Sequence, residues 1–269
     1  MEIVCLAILG IITGSISALF GIGGGMIIVP CMLYLHYLLP DLSFSTHDAV
    51  GISVMQMIFS SVFGSAINIF KKKNLCLDSA IFLGIGGFIG AAFSGVVLMY
   101  IAEKHLALIF LCVSLFTFYK FLFSVKKTPQ KVSLTKAKQG GILVIIGSLT
   151  GVFAISLGIG GGVMLVPLLM YFLGFDTKKI VPLSLFFIMC AALSGTFSFV
   201  RHGVITDSVL YAGLLLGAFS LVGVVIGTRL IDSMNAQIHY RILVIIYLAS
   251  IIATLNKVLM YYGIIGGGV

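Results

Sequence analysis

The chemistry this sequence offers is carried by two short runs of backbone, with few reactive side chains beside them. Residues 21–25 read Gly-Ile-Gly-Gly-Gly and are followed by Val29-Pro30; residues 158–162 repeat the run and are followed by Val166-Pro167. Glycine admits backbone conformations that other residues resist and lets a ligand come close to the main chain. A helix restarting after such a run presents N–H groups without intrahelical partners, together with the positive end of its dipole. That combination binds an anion without a buried lysine or arginine. On this ground the candidate substrate-binding residues are Gly23, Gly24, Gly25 and Met26 in the first run, and Gly160, Gly161, Gly162 and Val163 in the second. The same composition also suits a tight turn that lets helices pack closely. Its occurrence twice, in matching surroundings, favours a binding site.

Polar side chains near these runs follow helical spacing. Ser53, Gln56, Ser60, Gly64 and Asn68 fall on one face of an apolar piece over 49–70, and Ser184, Ala191, Gly195 and Ser198 on the matching face of 180–200. Ser53, Gln56 and Ser184 therefore join the candidate site as groups that would coordinate a polar substrate. A stripe of serine and glycine is equally a helix-packing face, and both readings stay open here. All eight acidic residues lie at the ends of apolar pieces or between them, so no carboxylate is placed as a proton relay inside a membrane would require. Asp78 and Asp207 are expected to cap the helices they precede. The histidines read as edge residues, with His47-Asp48 the one pair suited to proton coupling. Pro30 and Pro167 are expected to kink the helices after the glycine runs and to free a carbonyl in each.

Enzyme signatures do not appear. The chain has no Walker A lysine, HExxH or GxSxG, and the run GIGGFIG at 84–90 has Ile89 where a dinucleotide fingerprint needs its third glycine. The expectation is a protein that is no enzyme, with no catalytic residues, no metal and no cofactor. Without an ATPase module, any transport would draw on an ion gradient, the membrane potential or the substrate's own gradient.

The elements that must position these runs belong to a membrane. Hydrophobic residues make up 60% of the chain, charged residues 9%, and mean hydropathy is +1.23, too little polar surface to cover a soluble globule. The net charge of +8 sits in clusters between apolar stretches and forms no stripe for nucleic acid. The five cysteines are scattered singly, without a disulfide framework.

The glycine runs sit in a longer duplication. Gly10, Thr13 and Gly14 match Gly147, Thr150 and Gly151 in the same gapless register that superposes the two GIGGG runs and the two Val-Pro pairs. A register 131 residues apart then pairs Ser53 with Ser184 and Gly64 with Gly195. Each unit has four apolar pieces: 3–38, 49–70, 79–101 and 105–124 in the first; 140–173, 180–200, 208–228 and 241–262 in the second. A single crossing takes about 20 residues, so the glycine-broken pieces are too long for one and read as helical hairpins with a short second arm. If each hairpin enters and leaves on one side, only Lys104, Arg201 and Lys257 of the 16 lysines and arginines fall on the minority side. That is a strong positive-inside bias. Units with an odd number of crossings, joined in tandem, have opposite orientations. The fold class expected is an all-α membrane protein of two inverted repeats, each a glycine-broken helical hairpin plus three transmembrane helices. Residues 1–124 form the first repeat, 125–139 a basic cytoplasmic linker able to meet anionic lipid, and 140–269 the second repeat.

A GIGGG-xxx-VP motif occurring twice in an eight-piece membrane protein resembles the TauE/SafE family of sulfite exporters, and the likeness covers nearly the whole chain. The resemblance implies export of sulfite, organosulfonates or related small anions across the plasma membrane, driven by a gradient and without a bound cofactor. It also implies that the backbone around Gly23 to Gly25 and Gly160 to Gly162 holds the anion. The functional expectation is a multi-pass secondary transporter of small sulfur-containing or carboxylate anions, working by alternating access. An anion channel and a non-transporting assembly or sensor protein remain as alternatives. Gly213-xxx-Gly217 and Gly223-xxx-Gly227 suit a packing face within one chain or between two in a homodimer.

Overall fold

The computed structural model describes residues 2–34, 44–70, 77–124, 136–173 and 177–263. Among these the chain is helical throughout, with no strand. The first glycine-broken piece is α1 (Glu2–Phe20) and α2 (Gly25–Tyr34), and α3 (Thr46–Phe70) follows. Next come α4 (Leu77–Ala91) and α5 (Ser94–Tyr100), separated by a turn at Ala92-Phe93, and then α6 (Glu103–Ser124). The second unit repeats the order as α7 (Lys136–Ser156), α8 (Gly162–Leu173), α9 (Thr177–Arg201), α10 (Asp207–Ser233) and α11 (Ala236–Tyr261). Seven stretches among the described residues are long and apolar enough to cross a membrane: α1, α3, α4 with α5, α7, α9, α10 and α11. In α6 the apolar stretch is the shorter Ala107–Phe116.

The glycine-broken pieces divide unequally, as their composition led us to expect. Among the described residues the arms before the break hold 19 and 21 residues, those after it 10 and 12.

Packing crosses between the units. Along α1 and α10, Gly10 lies against Leu216, Gly14 against Ser220, and Gly227 against Ser15 and Ala18, so residue numbers rise together and the helices run parallel. The partner arrangement is α4 with α7, where Leu83 meets Gly147, Ser148 meets both Gly86 and Gly90, and Ala91 meets Gly151. Glycines at four-residue spacing let the backbones touch, since lipid supplies no hydrophobic drive between helices. α3 and α9 are two-thirds buried, the most enclosed of the spans, and pack on each other, on α10 and on α4. Outside them α11 packs on α6 and α2, and α6 on α8.

Four details refine the sequence reading. The paired glycines of α10 are used within the chain: Gly213 and Gly217 receive Met55 and Phe59 of α3, while Gly223 and Gly227 receive α1. The cap of α10 is Thr206, whose hydroxyl accepts from the Val209 N–H at 3.4 Å; Asp207 follows it in the first turn, where a carboxylate still complements the helix dipole. Asp78 likewise sits inside the first turn of α4. His239 is fully buried and is no edge residue. α7 begins at Lys136, so the last four residues given to the linker are already helical.

Candidate functional site

Each GIGGG run is two helix ends joined back to back. Gly21 and Gly158 take the left-handed conformation, with φ of +67° and +66°, just after the last residues of α1 and α7. This is the usual glycine-dependent helix stop. The Gly21 N–H returns to the Ser17 carbonyl at 2.8 Å. In the second run the Gly158 N–H bonds the Ile155 carbonyl and the Ile159 N–H the Ala154 carbonyl, at 3.0 and 2.8 Å. The third and fourth residues of each run also have positive φ, Gly23 and Gly24 at +87° and +76°, Gly160 and Gly161 at +85° and +78°. The new helix starts immediately. The Gly24 carbonyl accepts from the N–H groups of Ile27 and Ile28, and the Gly161 carbonyl from those of Met164 and Leu165. The N–H groups of the first-turn residues at 25, 26, 162 and 163 then lie at the open, electropositive ends of α2 and α8.

The two runs meet. A Cβ built on Gly23 would lie 3.1 Å from the Gly160 Cα, and one on Gly160 would lie 3.1 Å from the Gly23 Cα and 2.6 Å from the Ile22 carbonyl oxygen. A methyl at Gly25 would collide with the Gly158 carbonyl oxygen, and one at Gly162 with the Gly21 carbonyl oxygen. The final glycine of each run is thus a helical residue kept bare so that the opposite run can reach it.

Two of the three polar side chains expected at the site bind these runs across the units. The Ser53 hydroxyl donates to the Gly158 carbonyl at 2.8 Å, and the Ser184 hydroxyl donates to the Gly21 carbonyl at 2.6 Å. Both serines are completely buried. Each takes the carbonyl exposed by the left-handed glycine of the other unit, so the packing-face reading of the stripe holds for these two hydroxyls. Their contacts join the breaks.

Gln56 is different. It is completely buried, lies beside Gly24, and neither its Oε1 nor its Nε2 has a hydrogen-bond partner. Leaving such a group unpaired costs about 1–3 kcal/mol. Ser60, one helical turn after Gln56 in α3, accepts from the Ser17 hydroxyl at 3.2 Å, and Thr13 presents its carbonyl and Cβ to Gly24. The residue 131 positions on from Gln56 is Phe187, whose ring fills the same place against Gly161.

Of the remaining candidates, Met26 is buried in the core and acts through its carbonyl, which accepts from the Ser250 hydroxyl of α11 at 3.2 Å. Pro30, four residues on, has no N–H to give that carbonyl, so the freed acceptor that the proline foretold is present and taken up by a neighbouring helix. Val163 is in the first turn of α8, with only its backbone described. The His47-Asp48 pair does not form. Asp48 exchanges hydrogen bonds with Ser45, its side chain accepting from the Ser45 N–H at 3.0 Å and hydroxyl at 2.8 Å, while the Ser45 hydroxyl accepts from the Asp48 N–H. That reciprocal pair starts α3.

Sequence reading missed His239, whose Nε2 meets the Leu19 carbonyl at 2.8 Å and whose ring lies 4.7 Å from that of Phe20, just before the first break. Nothing in the local sequence marks it, because the carbonyl it serves is more than two hundred positions away in the chain.

The family model described as Sulfite exporter TauE/SafE matches residues 6–254. A probable membrane transporter protein of Haemophilus influenzae is 30% identical over 206 residues, covering 75% of this chain and 74% of its own length. The probable membrane transporter protein YunE of Bacillus subtilis is 25% identical over 291 residues, covering 98% and 99%. A probable membrane transporter protein of Methanocaldococcus jannaschii is 27% identical over 254 residues, covering 88% and 89%. No solved structure matches significantly.

Proposed function

The chain belongs to the sulfite exporter TauE/SafE family of membrane transporters, and from that premise we propose that it is a secondary carrier that exports small sulfur-containing or carboxylate anions across the plasma membrane. The observation that carries the proposal is the meeting of two glycine breaks, joined by Ser53 to Gly158 and by Ser184 to Gly21. Two helix N-termini at the centre of the molecule supply positive potential where no lysine or arginine is needed. Irregular backbone at that depth belongs against protein or a water-filled path, and secondary transporters place their sites at such points.

The symmetry of the packing supports alternating access. Exchanging the two repeats turns the α1 and α10 contact into the α7 and α4 contact, and the α2 and α3 contact into that of α8 and α9. That is the signature of a twofold relation between halves. With an odd number of net crossings per half, such an axis would lie in the membrane plane and the repeats would be inverted. The breaks, in backbone contact, close the middle of the path, as a carrier between its two open states requires and an open channel does not. Rocking one half on the other would part the breaks toward one side at a time.

Reconstitution tests this. Proteoliposomes containing the purified chain should accumulate or release radiolabelled sulfite or sulfoacetate down an imposed gradient faster than empty vesicles. Failure to move sulfite, sulfoacetate and chloride under every gradient applied would reject the carrier reading.

A further inference from the structure

The two breaks are alike in backbone but unlike in what faces them. Gln56 lies against Gly24 where its counterpart Phe187 lies against Gly161, and the buried Ser17 and Ser60, joined to each other, have Ala154 and Ala191 as their counterparts. All three polar residues are completely buried, and the amide of Gln56 is unpaired at both ends. The serines satisfy each other and nearby carbonyls, with Ser60 also donating to the Met57 carbonyl at 3.3 Å. The unmet hydrogen-bonding capacity of these three side chains is therefore one donor group and one acceptor, both on Gln56, whose Oε1 lies nearest the place a Cβ on Gly24 would take, just before α2.

We infer that the carrier has a single, asymmetric binding site at the N-terminus of α2, and that Gln56 selects a monoanionic oxyanion that still carries one hydroxyl proton. This rests on the carrier reading above and narrows it to one half of the molecule and one chemical class. The amide Nε2 donates to an anionic oxygen, the N–H groups opening α2 share the charge, and the ligand's own O–H donates to Oε1. A chloride ion, a sulfonate or a fully deprotonated oxyanion offers acceptors only and leaves Oε1 buried without a donor. Rejecting a ligand in this way is steep, because the site's own polar atom is then stranded. The amide can be turned either way round without changing the requirement. Charge agrees: one helix end offers about half an elementary charge, and Thr13, Ser17, Gln56 and Ser60 add none, which suits a monoanion better than a dianion. Phe187 occupies the equivalent place in the second half and leaves no amide there to make a second site.

The test compares two pyramidal anions of nearly the same shape, hydrogen sulfite (HO–SO2−) and methanesulfinate (CH3–SO2−), which differ by a hydroxyl against a methyl group. Both are titrated at one mildly acidic pH into the full-length protein in nanodiscs, and both are offered separately as flux substrates in proteoliposomes. Hydrogen sulfite should bind at least tenfold more tightly than methanesulfinate, and Gln56→Leu should bring the two within about threefold of each other. Phe187→Leu should leave the discrimination in place. Equal binding of the two anions by the unaltered protein, or a tenfold preference that survives Gln56→Leu, overturns the inference while leaving the carrier reading standing if flux is seen. Should Gln56→Leu not fold, the ratio in the unaltered protein still decides. Absence of binding and flux for both anions would reject the carrier reading and this inference with it.

Discussion

Gly25→Ala and Gly162→Ala are the substitutions on which local propensity and the packing described above disagree in sign. Both residues open helices, and alanine in a helix is favoured over glycine by about 0.8–1.0 kcal/mol. Gly141, exposed in α7 with nothing near the position a Cβ would take, supplies the reference, and Gly141→Ala should stabilise the protein by up to that amount. At Gly25 the new methyl would instead strike the Gly158 carbonyl oxygen, the Met57 side chain and the Ser53 hydroxyl. Overpacking of this kind costs about 1–3 kcal/mol, and displacing Ser53 from the Gly158 carbonyl removes a buried hydrogen bond worth about 1 kcal/mol. After the propensity gain is set against these, Gly25→Ala should destabilise by about 1–3 kcal/mol, opposite in sign to Gly141→Ala. Gly162→Ala, which strikes the Gly21 carbonyl and the Ile22 Cα, should behave like Gly25→Ala. Reversible unfolding in mixed micelles, followed as the denaturing detergent fraction rises, measures the difference. If Gly25→Ala and Gly162→Ala are as stable as the unaltered protein or more so, the two breaks do not touch and the central claim is wrong.

Ser53→Ala and Ser184→Ala should each leave a buried carbonyl without its donor and cost about 1–3 kcal/mol in the same unfolding assay; a large effect at only one of them would contradict their equivalence. Ser250→Ala should cost about 1 kcal/mol alone but distinctly less in a Pro30→Ala background, where residue 30 can donate to the Met26 carbonyl itself. Strict additivity in that double-mutant cycle would show that the hydroxyl does not stand in for the missing amide. His239→Leu should lose about 1–3 kcal/mol with the bond to the Leu19 carbonyl, whereas His105→Leu, at an exposed position, should stay within about 0.5 kcal/mol. Equal effects of the two substitutions would deny the buried histidine its part in ending α1.

Much of this architecture is written in the chain because its causes are local or periodic. Consecutive glycines stop a helix wherever they stand, so the breaks follow from residues 21–25 and 158–162 alone. Pro30 removes one donor from a known carbonyl, so the orphan at Met26 was legible before its partner was. Helical spacing brought Ser53, Gln56 and Ser184 to faces of α3 and α9 that do border the breaks. What no window of sequence holds is the identity of distant partners. Nothing near Gly25 says that the Gly158 carbonyl lies over it, and nothing near His239 says that α1 ends there. The serine stripe was ambiguous for the same reason: whether a hydroxyl waits for a ligand or holds a carbonyl depends on what the other half of the chain brings to it. Asp207 was misread as a cap because threonine and aspartate both suit that role, and the entry of the backbone into α10 chose Thr206.

The parallel contact between α1 and α10 has a consequence for how the protein is made. Gly14 lies on Ser220, so α1 meets its main neighbour only after α10, some two hundred residues later, has been synthesised. Until then its glycine stripe faces lipid or the insertion machinery, and membrane insertion and helix docking are separate stages of assembly. The second unit has no such wait, because α4 is already in place when α7 emerges. A chain cut in the segment between α6 and α7 would give two fragments that each insert but leave a first arm without its seat. Co-expressed, they should complete each other; expressed singly, each is a substrate for quality-control proteolysis.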